Sequence, residues 1–269
     1  MKTLLSLLTA LLIFMVALPA HAARGFGATD GTATTDKITT GHTTLNTSTS
    51  WCAWFWLTGA GGGSFGRIFD KDGGSTGKRV LFYNDVGVKL SLLVNWSGSP
   101  AQWSIDAPAT GAWNHVCVTY AGTDTTTDPI FYLNNTTPVV TEDTAPLTAL
   151  ETNTGAYIIG NRADNIRNLN GRVAEFAVWE GTILSAGNVA ALYNSGSGAR
   201  ADSIATQPTT YWKLCGVDSP EPNEMAGGST GAVTGALQKT HPFSNCSTTT
   251  TWPTGCGAAM ILLGKGAGC

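Results

Sequence analysis

The sequence predicts an all-β sandwich or barrel of many short strands, and three observations support this fold class. The two-residue alternation of a strand is clear in residues 115–120 (HVCVTY) and 173–178 (VAEFAV). Clusters of Gly, Ser, Thr, Asn and Asp separate such segments at intervals of about 8 to 12 residues. The chain is also rich in Thr, Val, Gly and aromatic residues, which favour strands and tight turns.

Strand patterns recur from residue 50 to residue 214. The predicted strands are residues 50–58, 66–69, 79–84, 88–96, 103–106, 115–120, 130–134, 156–160, 172–179 and 210–214. One short helix is predicted over residues 185–193, where Ser185 can cap the first turn and Val189, Leu192 and Tyr193 can face inward.

The first residues resemble an export signal. Lys2 precedes an apolar run over residues 4–18, and small residues follow up to Ala22. The run is shorter than the roughly 20 residues of a membrane span, so we expect cleavage near Ala22 and a secreted protein. The predicted domain covers residues 23–245, and a Ser/Thr/Gly-rich tail covers residues 246–269.

Charge excludes one class of function. The chain has 15 Lys and Arg against 18 Asp and Glu, a net charge of −3, and 12% charged residues. Globular domains usually carry about 25% charged residues. Because nucleic-acid-binding proteins usually show a basic stripe, which this sequence lacks, we expect no nucleic-acid partner.

The cysteines predict disulfides. All of them follow the predicted signal, and an even number in an exported chain favours bridges. No C-x-x-C pair or His/Cys cluster indicates a zinc or redox site, and the residues alone leave every pairing open. The six are Cys52, Cys117, Cys215, Cys246, Cys256 and Cys269.

Patterns that suggest catalysis are weak. Ser64, Ser75 and Ser229 each lie in a G-x-S-x-G pattern, but no helix pattern follows any of them, so these glycines fit turns. A glycosidase needs two facing carboxylates, and the nearest candidates, Asp70 and Asp72, precede a Gly-Gly pair that predicts a turn. We therefore assign no catalytic residue and expect a protein that is not an enzyme.

Several blocks together resemble the laminin-G-like and pentraxin-like branch of the concanavalin A-like jelly rolls. Residues 50–56 (SWCAWFW) resemble an early core strand of that family. Residues 111–120 (GAWNHVCVTY) and 130–135 (IFYLNN) resemble its Trp-x-His strand and the following hairpin. Residues 157–160 and 169–179 (LNGRVAEFAVW) are similar to its closing strands.

The resemblance covers most of residues 25–240 and implies a jelly-roll sandwich of two antiparallel sheets with one short helix. It also implies a disulfide between Cys52 and Cys117, since the family cross-links these two strands. The four later cysteines would then pair among themselves. The preferred pairs are Cys215 with Cys246 and Cys256 with Cys269.

Relatives of the pentraxin type hold calcium with two loops, as a hard cation requires. In the first loop Asp164 keeps a ligand position, but Arg162 stands where a carboxylate is usual. The second loop's ligand positions hold Gly77 and Lys78. These changes argue against the double site. They leave one hypothesis for a single site, at Asp164 and Asn165 or at Asp70 and Asp72, and we expect no other cofactor.

Two tryptophans are the candidate ligand-binding residues. Trp96 and Trp103 flank the turn over residues 97–100, where exposed rings could stack on sugars. The alternative interpretation, that both pack at the edge of the sandwich, stays open. The first hypothesis for function is a secreted, non-catalytic module that binds glycans or an extracellular or cell-surface partner. The alternatives are a structural or adhesive component of an extracellular or virion surface, and a divergent glycan-cleaving enzyme.

Overall fold

The structure, a computed structural model, describes residues 22–44, 46–71, 78–97, 99–151, 155–243 and 246. The predicted signal peptide up to residue 21 and the predicted tail beyond Cys246 lie outside these residues. Within the described ranges, no helix has the length and apolar character needed to cross a membrane. Two antiparallel sheets form the fold, as predicted for a jelly-roll sandwich.

The first sheet has seven strands. Six of them follow the order β15-β1-β12-β3-β8-β9, and β13 pairs with the later part of β12. These strands are β1 (Ala22–Phe26), β3 (Thr49–Leu57), β8 (Trp113–Tyr120), β9 (Ile130–Leu133), β12 (Gly171–Glu180), β13 (Thr210–Trp212) and β15 (Leu237–Thr240).

The second sheet has eight strands in the order β10-β7-β6-β5-β4-β11-β2-β14. Hairpins join β4 through β7, so these four strands lie side by side in chain order. The strands are β2 (Lys37–Thr40), β4 (Phe65–Lys71), β5 (Arg79–Asn84), β6 (Lys89–Trp96), β7 (Ser99–Asp106), β10 (Thr141–Thr144), β11 (Tyr157–Ile159) and β14 (Gly231–Thr234).

The core lies between the sheets, and β3 shows why. Trp51 and Phe55 point into this core at 1% and 0% exposure. Trp54 points to the opposite face and is also buried, against Tyr193. A central strand with both faces covered is predicted by the aromatic residues that alternate along β3.

Among the described residues, two α-helices accompany the sheets, α1 (Gly27–Asp30) and α2 (Ala186–Tyr193). The predicted helix is α2, and Ser185 caps it. The Ser185 hydroxyl accepts from the backbone N–H of Asn188 at 3.2 Å. The side-chain oxygen of Asn188 accepts from the backbone N–H of Ser185 at 3.2 Å. Val189 and Leu192 are buried as expected. Short 3-10 turns occur at Gly62–Ser64, Asn194–Gly196 and Ala201–Ser203.

The structure contains two disulfides. Cys52 and Cys117 are directly opposite residues of β3 and β8, and they form the bridge that the resemblance implies. Cys215 bonds Cys246, which is the preferred partner. The remaining two cysteines, Cys256 and Cys269, lie outside the described residues.

The sequence pattern places Asp70 wrongly. It predicts a turn over residues 70–72, but β4 continues to Lys71, where Asp70 pairs with Val80 of β5 and Ile158 of β11. Both Asp70 and Lys71 are buried, at 1% and 0% exposure. The strand continues because pairing on both sides satisfies its backbone groups, and local propensity does not report that pairing.

Candidate functional site

The two sheets differ in what lies on their outer faces. Helix α2 packs on the outer face of the seven-stranded sheet, where Val189 and Leu192 join Ala177 and Trp179 in a buried cluster. Phe243 covers Trp54 on the same face, at a ring distance of 5.4 Å. The outer face of the eight-stranded sheet is therefore the face without this helix, and it is the candidate for binding.

One row of side chains crosses the middle of that outer face. Arg67 of β4 lies opposite Phe82 of β5, Phe82 opposite Ser91 of β6, and Ser91 opposite Ser104 of β7. Their neighbours along each strand, such as Leu81, pack in the core between the sheets. Because successive side chains of a strand point to opposite faces, the row points outward.

A second row lies beside the first. It contains Asp70, Val80, Leu93 and Gln102, which are again opposite one another across the four strands. Ile158 of β11 continues it beyond Asp70. We call the surface formed by the two rows over these four strands, together with Phe65, the β4–β7 face.

Phenyl rings and guanidinium groups alternate at the β4 end of this face. The Arg67 guanidinium lies 4.7 Å from the centroid of the Phe82 ring, and that of Arg167 lies 5.0 Å from the Phe65 ring. The two phenyl rings are 6.0 Å apart. Arg67 also donates from Nε to Asp70 at 3.1 Å. Such contacts hold the planar groups in fixed orientations.

Electrostatics at Arg67 reflect this crowding. Burial is the main cause that lowers its pKa from 12.5 to about 10, and the nearby Arg162 and Arg167 lower it further. The Asp70 carboxylate acts in the opposite direction and raises it. Several positive charges therefore lie close together at this end of the sheet.

The β4–β7 face has a half-buried rim and a buried floor. Phe65, Arg67, Leu93 and Gln102 are half-buried, so they are the side chains that a ligand would meet first. The floor includes Ser91 and Ser104, whose Oγ atoms are buried and make no hydrogen bond to any described group. Apolar rings beside amide, hydroxyl and guanidinium groups suit a ligand that has both C–H faces and hydroxyls.

The burial of Trp96 and Trp103 contradicts the expected exposed rings and agrees with the alternative that both pack within the sandwich. Trp96 and Trp103 are 3% and 0% exposed and belong to the core between the sheets. The Trp103 indole donates to Asp128 at 2.7 Å, so its polar edge is satisfied as well. Trp96 points inward because it lies four residues after the core residue Leu92 in β6. Trp103 points inward because it is the residue of β7 directly opposite Leu92. They are core residues and not stacking platforms.

Sequence reasoning missed the residues of the β4–β7 face. A signal was available, because polar Ser91 and Asn95 alternate with Leu90, Leu92 and Val94 in β6. It does not stand out from the solvent-facing pattern of any surface strand. Only the register shows that Arg67, which is distant in sequence, belongs to the same row.

The predicted calcium loop forms internal bonds instead. Asn161 is buried and donates from Nδ2 to the carbonyls of Thr34 and Asp36, at 2.9 and 3.1 Å. Arg162 donates from Nε to both carboxylate oxygens of Asp164, and this hydrogen bonding lowers the pKa of Asp164. Asn165 adopts a left-handed backbone with φ of 65°.

The second candidate metal pair is only partly described. Asp70 bonds Arg67, and Asp72 lies outside the described residues. Of the residues that the structure describes, one group holds three His, Cys, Asp or Glu donor atoms within 4.8 Å: Cys52, His115 and Cys117. Its two sulfurs are bonded to each other, so they are not available to a metal.

A buried group of ionisable residues lies on the opposite side of the molecule. The Tyr211 hydroxyl donates to the Glu175 carboxylate, and His241 Nε2 lies 3.2 Å from the second Glu175 oxygen. All three are at most 4% exposed. Burial and the neighbouring carboxylate raise the pKa of Tyr211. The group joins β12, β13 and the chain after β15, and we interpret it as structural because a substrate could not reach it.

Known proteins share this architecture. Residues 30–190 match the family model of the concanavalin A-like lectin/glucanases superfamily, in its laminin G group. The chain belongs to this superfamily. No curated protein sequence matches this lectin-like chain significantly.

Two solved structures show the same lectin-like fold at low identity. A candidate carbohydrate-binding protein from Bacteroides ovatus is 18% identical, with a TM-score of 0.58 over 83% of this chain. The match covers 60% of that protein, so this chain spans only part of its length. A heptameric SAP-like pentraxin from Limulus polyphemus is 15% identical, with a TM-score of 0.52 over 84% of this chain and 94% of its own.

Proposed function

We propose that the protein is a secreted, non-catalytic module that binds glycans on the β4–β7 face. The observation that carries the proposal is the half-buried rim of that face, where Phe65 and Arg67 of β4 place a ring and a guanidinium at one end and Gln102 of β7 places an amide three strands away. A sugar ring presents apolar C–H faces and hydroxyls, and these three groups match both. Membership of a superfamily of lectins and glucanases supports the same ligand class.

The carboxylates of this face support binding without hydrolysis. Strands β4 to β7 contain two acidic residues, Asp70 and Asp106. Because β4 and β7 are three strand spacings apart and Asp106 lies four residues beyond Asp70's row, these residues are separated by more than about 14 Å. Glycosidases of either stereochemistry place their two carboxylates within about 9.5 Å. Asp70 accepts from Arg67, and Asp106 pairs with Lys89 at 2.6 Å, so each carboxylate already faces a cation.

Secretion is supported by two observations. The apolar run before Ala22 has the form of an export signal. The two disulfides of the described residues are bonds that persist in oxidising compartments.

A glycan array tests the proposal. Mature protein should bind a subset of glycans. Phe65→Ala and Gln102→Ala should each weaken binding by about fivefold or more, because the first loses a stacking contact and the second a hydrogen bond, each of about 1 kcal/mol. Trp113→Ala is the matched control, because Trp113 is half-buried but lies on the seven-stranded sheet.

The outcomes separate the three hypotheses for function. An array without any sugar-dependent signal would favour the scaffold hypothesis over glycan binding. Release of reducing ends from polysaccharides would instead favour the enzyme. Equal losses in the Phe65 and Trp113 variants would place the binding site elsewhere on the molecule.

A further inference from the structure

Four cationic side chains meet beside the β4 end of the β4–β7 face. Arg67 is close enough to Arg162 and Arg167 for both to lower its pKa. Lys37 of β2 joins them, since its Nζ donates to the carbonyl of Ala163, next to Arg162, at 3.1 Å. We call Lys37, Arg67, Arg162 and Arg167 the cationic cluster.

Carboxylates neutralise only part of this cluster. Asp70 pairs with Arg67, and Asp164 pairs with Arg162. Within the described part of the chain, Lys37 and Arg167 have no carboxylate within ion-pair distance. Each side chain donates to a backbone carbonyl. The cluster thus carries surplus positive charge in a protein whose net charge is −3.

Arg167 has the geometry of an anion-binding residue. Its guanidinium lies over the Phe65 ring at 5.0 Å, and Nη1 donates to the Gly63 carbonyl at 2.8 Å. Its Nε is buried and has no hydrogen-bond partner among the described residues. With Nη1 bonded to Gly63, Nη2, which bonds no described residue, is the nitrogen that can donate a charge-assisted hydrogen bond to a carboxylate or sulfate.

We infer that the glycan bound on the β4–β7 face carries an anionic group, a carboxylate or a sulfate, and that Arg167 and Lys37 bind this group. The inference rests on the proposed function and specifies its ligand class. Neutral parts of the glycan would lie across the β4–β7 face from Phe65 toward Gln102, and the acidic substituent would lie at the β4 end. Attraction to surface charges weakens as salt rises, so the affinity should fall with ionic strength.

Three dextrans with one backbone test the charge requirement. Neutral dextran, carboxymethyl dextran and dextran sulfate are titrated calorimetrically into the mature protein at low and high salt. At least one charged dextran should bind about tenfold more tightly than neutral dextran, because a charge-assisted hydrogen bond is stronger than a neutral one. The comparison between the two charged polymers distinguishes carboxylate from sulfate recognition.

Matched variants locate the site. Arg167→Gln and Lys37→Gln should each reduce affinity for the charged dextran about tenfold, while Arg167→Lys should retain part of it. Lys213→Gln is the control, because Lys213 is a half-buried lysine that follows β13 of the seven-stranded sheet and already pairs with Glu224. Melting temperatures of all variants verify folding, and Lys37→Gln, a change at a half-buried polar residue, serves if an Arg167 variant is unstable.

The inference and the proposed function fail in different ways. If the array shows glycan binding but both charged dextrans bind no better than dextran, or Lys213→Gln weakens binding as much as Arg167→Gln, the anionic ligand is wrong and glycan binding stands. If neither the array nor any dextran gives binding, the proposed function itself is overturned.

Discussion

Trp51 of the seven-stranded sheet donates from its indole Nε1 to the hydroxyl of Tyr157 in the eight-stranded sheet, at 2.9 Å. The same hydroxyl donates to the Glu180 carboxylate at 3.2 Å. Both rings are buried, at 1% and 0% exposure. This polar bridge joins the sheets inside an otherwise apolar core, where unpaired groups would be costly.

We expect Tyr157→Phe to lower the free energy of unfolding by about 1–3 kcal/mol, because the Trp51 indole loses its acceptor in a buried site. Urea denaturation measures the change. Tyr132→Phe is the control, since the Tyr132 ring is also buried but its hydroxyl bonds no described residue. Equal effects of the two substitutions would show that the bridge contributes no net stability.

Removal of the disulfide between Cys52 and Cys117, by substitution of both with Ser, should destabilise the fold by about 4 kcal/mol. The reason is that the bridge closes a loop with a sequence separation of 65 residues and so restricts the unfolded chain. Chemical denaturation of the double variant tests the magnitude. Non-reducing peptide mapping of the native protein tests the pairing, and a free Cys52 peptide would contradict it.

Acid should destabilise the protein in part through His115. Burial among rings, including that of Trp54 at 5.2 Å, lowers the pKa of His115 to about 3. Unfolded His titrates near 6.5, so between about pH 6.5 and 3 the unfolded state binds the additional proton. The free energy of unfolding should therefore fall as pH is lowered through this window.

His115→Gln isolates that contribution, because carboxylates such as Asp164 and Asp202 affect wild type and variant alike. Urea titrations at several pH values should give a shallower pH dependence for the variant. Parallel pH profiles for the two proteins would mean that His115 is not neutral and buried in the folded state.

Chelation should change the melting temperature by little. In the candidate calcium loop Asp164 accepts a hydrogen bond from Arg162, and the Asn161 side chain donates to the backbone carbonyl of Thr34. A metal that binds only the folded state stabilises it by RT ln(1 + [L]/Kd), so loss of a tight site would be visible in a thermal scan. A large decrease with EDTA, reversed by calcium, would show that other residues bind the ion.

Exported protein should begin at Ala23. Strand β1 starts at Ala22, so cleavage there would remove only its first residue, and Ala23 to Gly25 would still pair with β15. Intact-mass measurement of the secreted product tests the cleavage site. A mass that includes Met1 would contradict the export signal.

The sequence alone predicted the fold and much of its core. Two-residue alternation located β8 and β12, and aromatic residues on both faces located β3, because a central strand has both of its faces covered. The cap at Ser185 and the pairing of Cys52 with Cys117, which the family resemblance implies, also agree with the structure. Strands such as β2, β10 and β15 were not predicted, since their segments are short and polar and are strands only through their pairing partners.

Which residues form the candidate site was decided by tertiary structure. Alternation tells which side chains share a face of one strand, but not whether that face points to the core or to solvent. For this reason Trp96 and Trp103, which the sequence suggested as ligand contacts, are core residues. Arg67, Phe82 and Arg167 form one surface because β4 pairs with β5 and the chain after β11 returns beside these two strands. The contact among the three residues depends on the long-range register of the strands, which no local sequence pattern encodes.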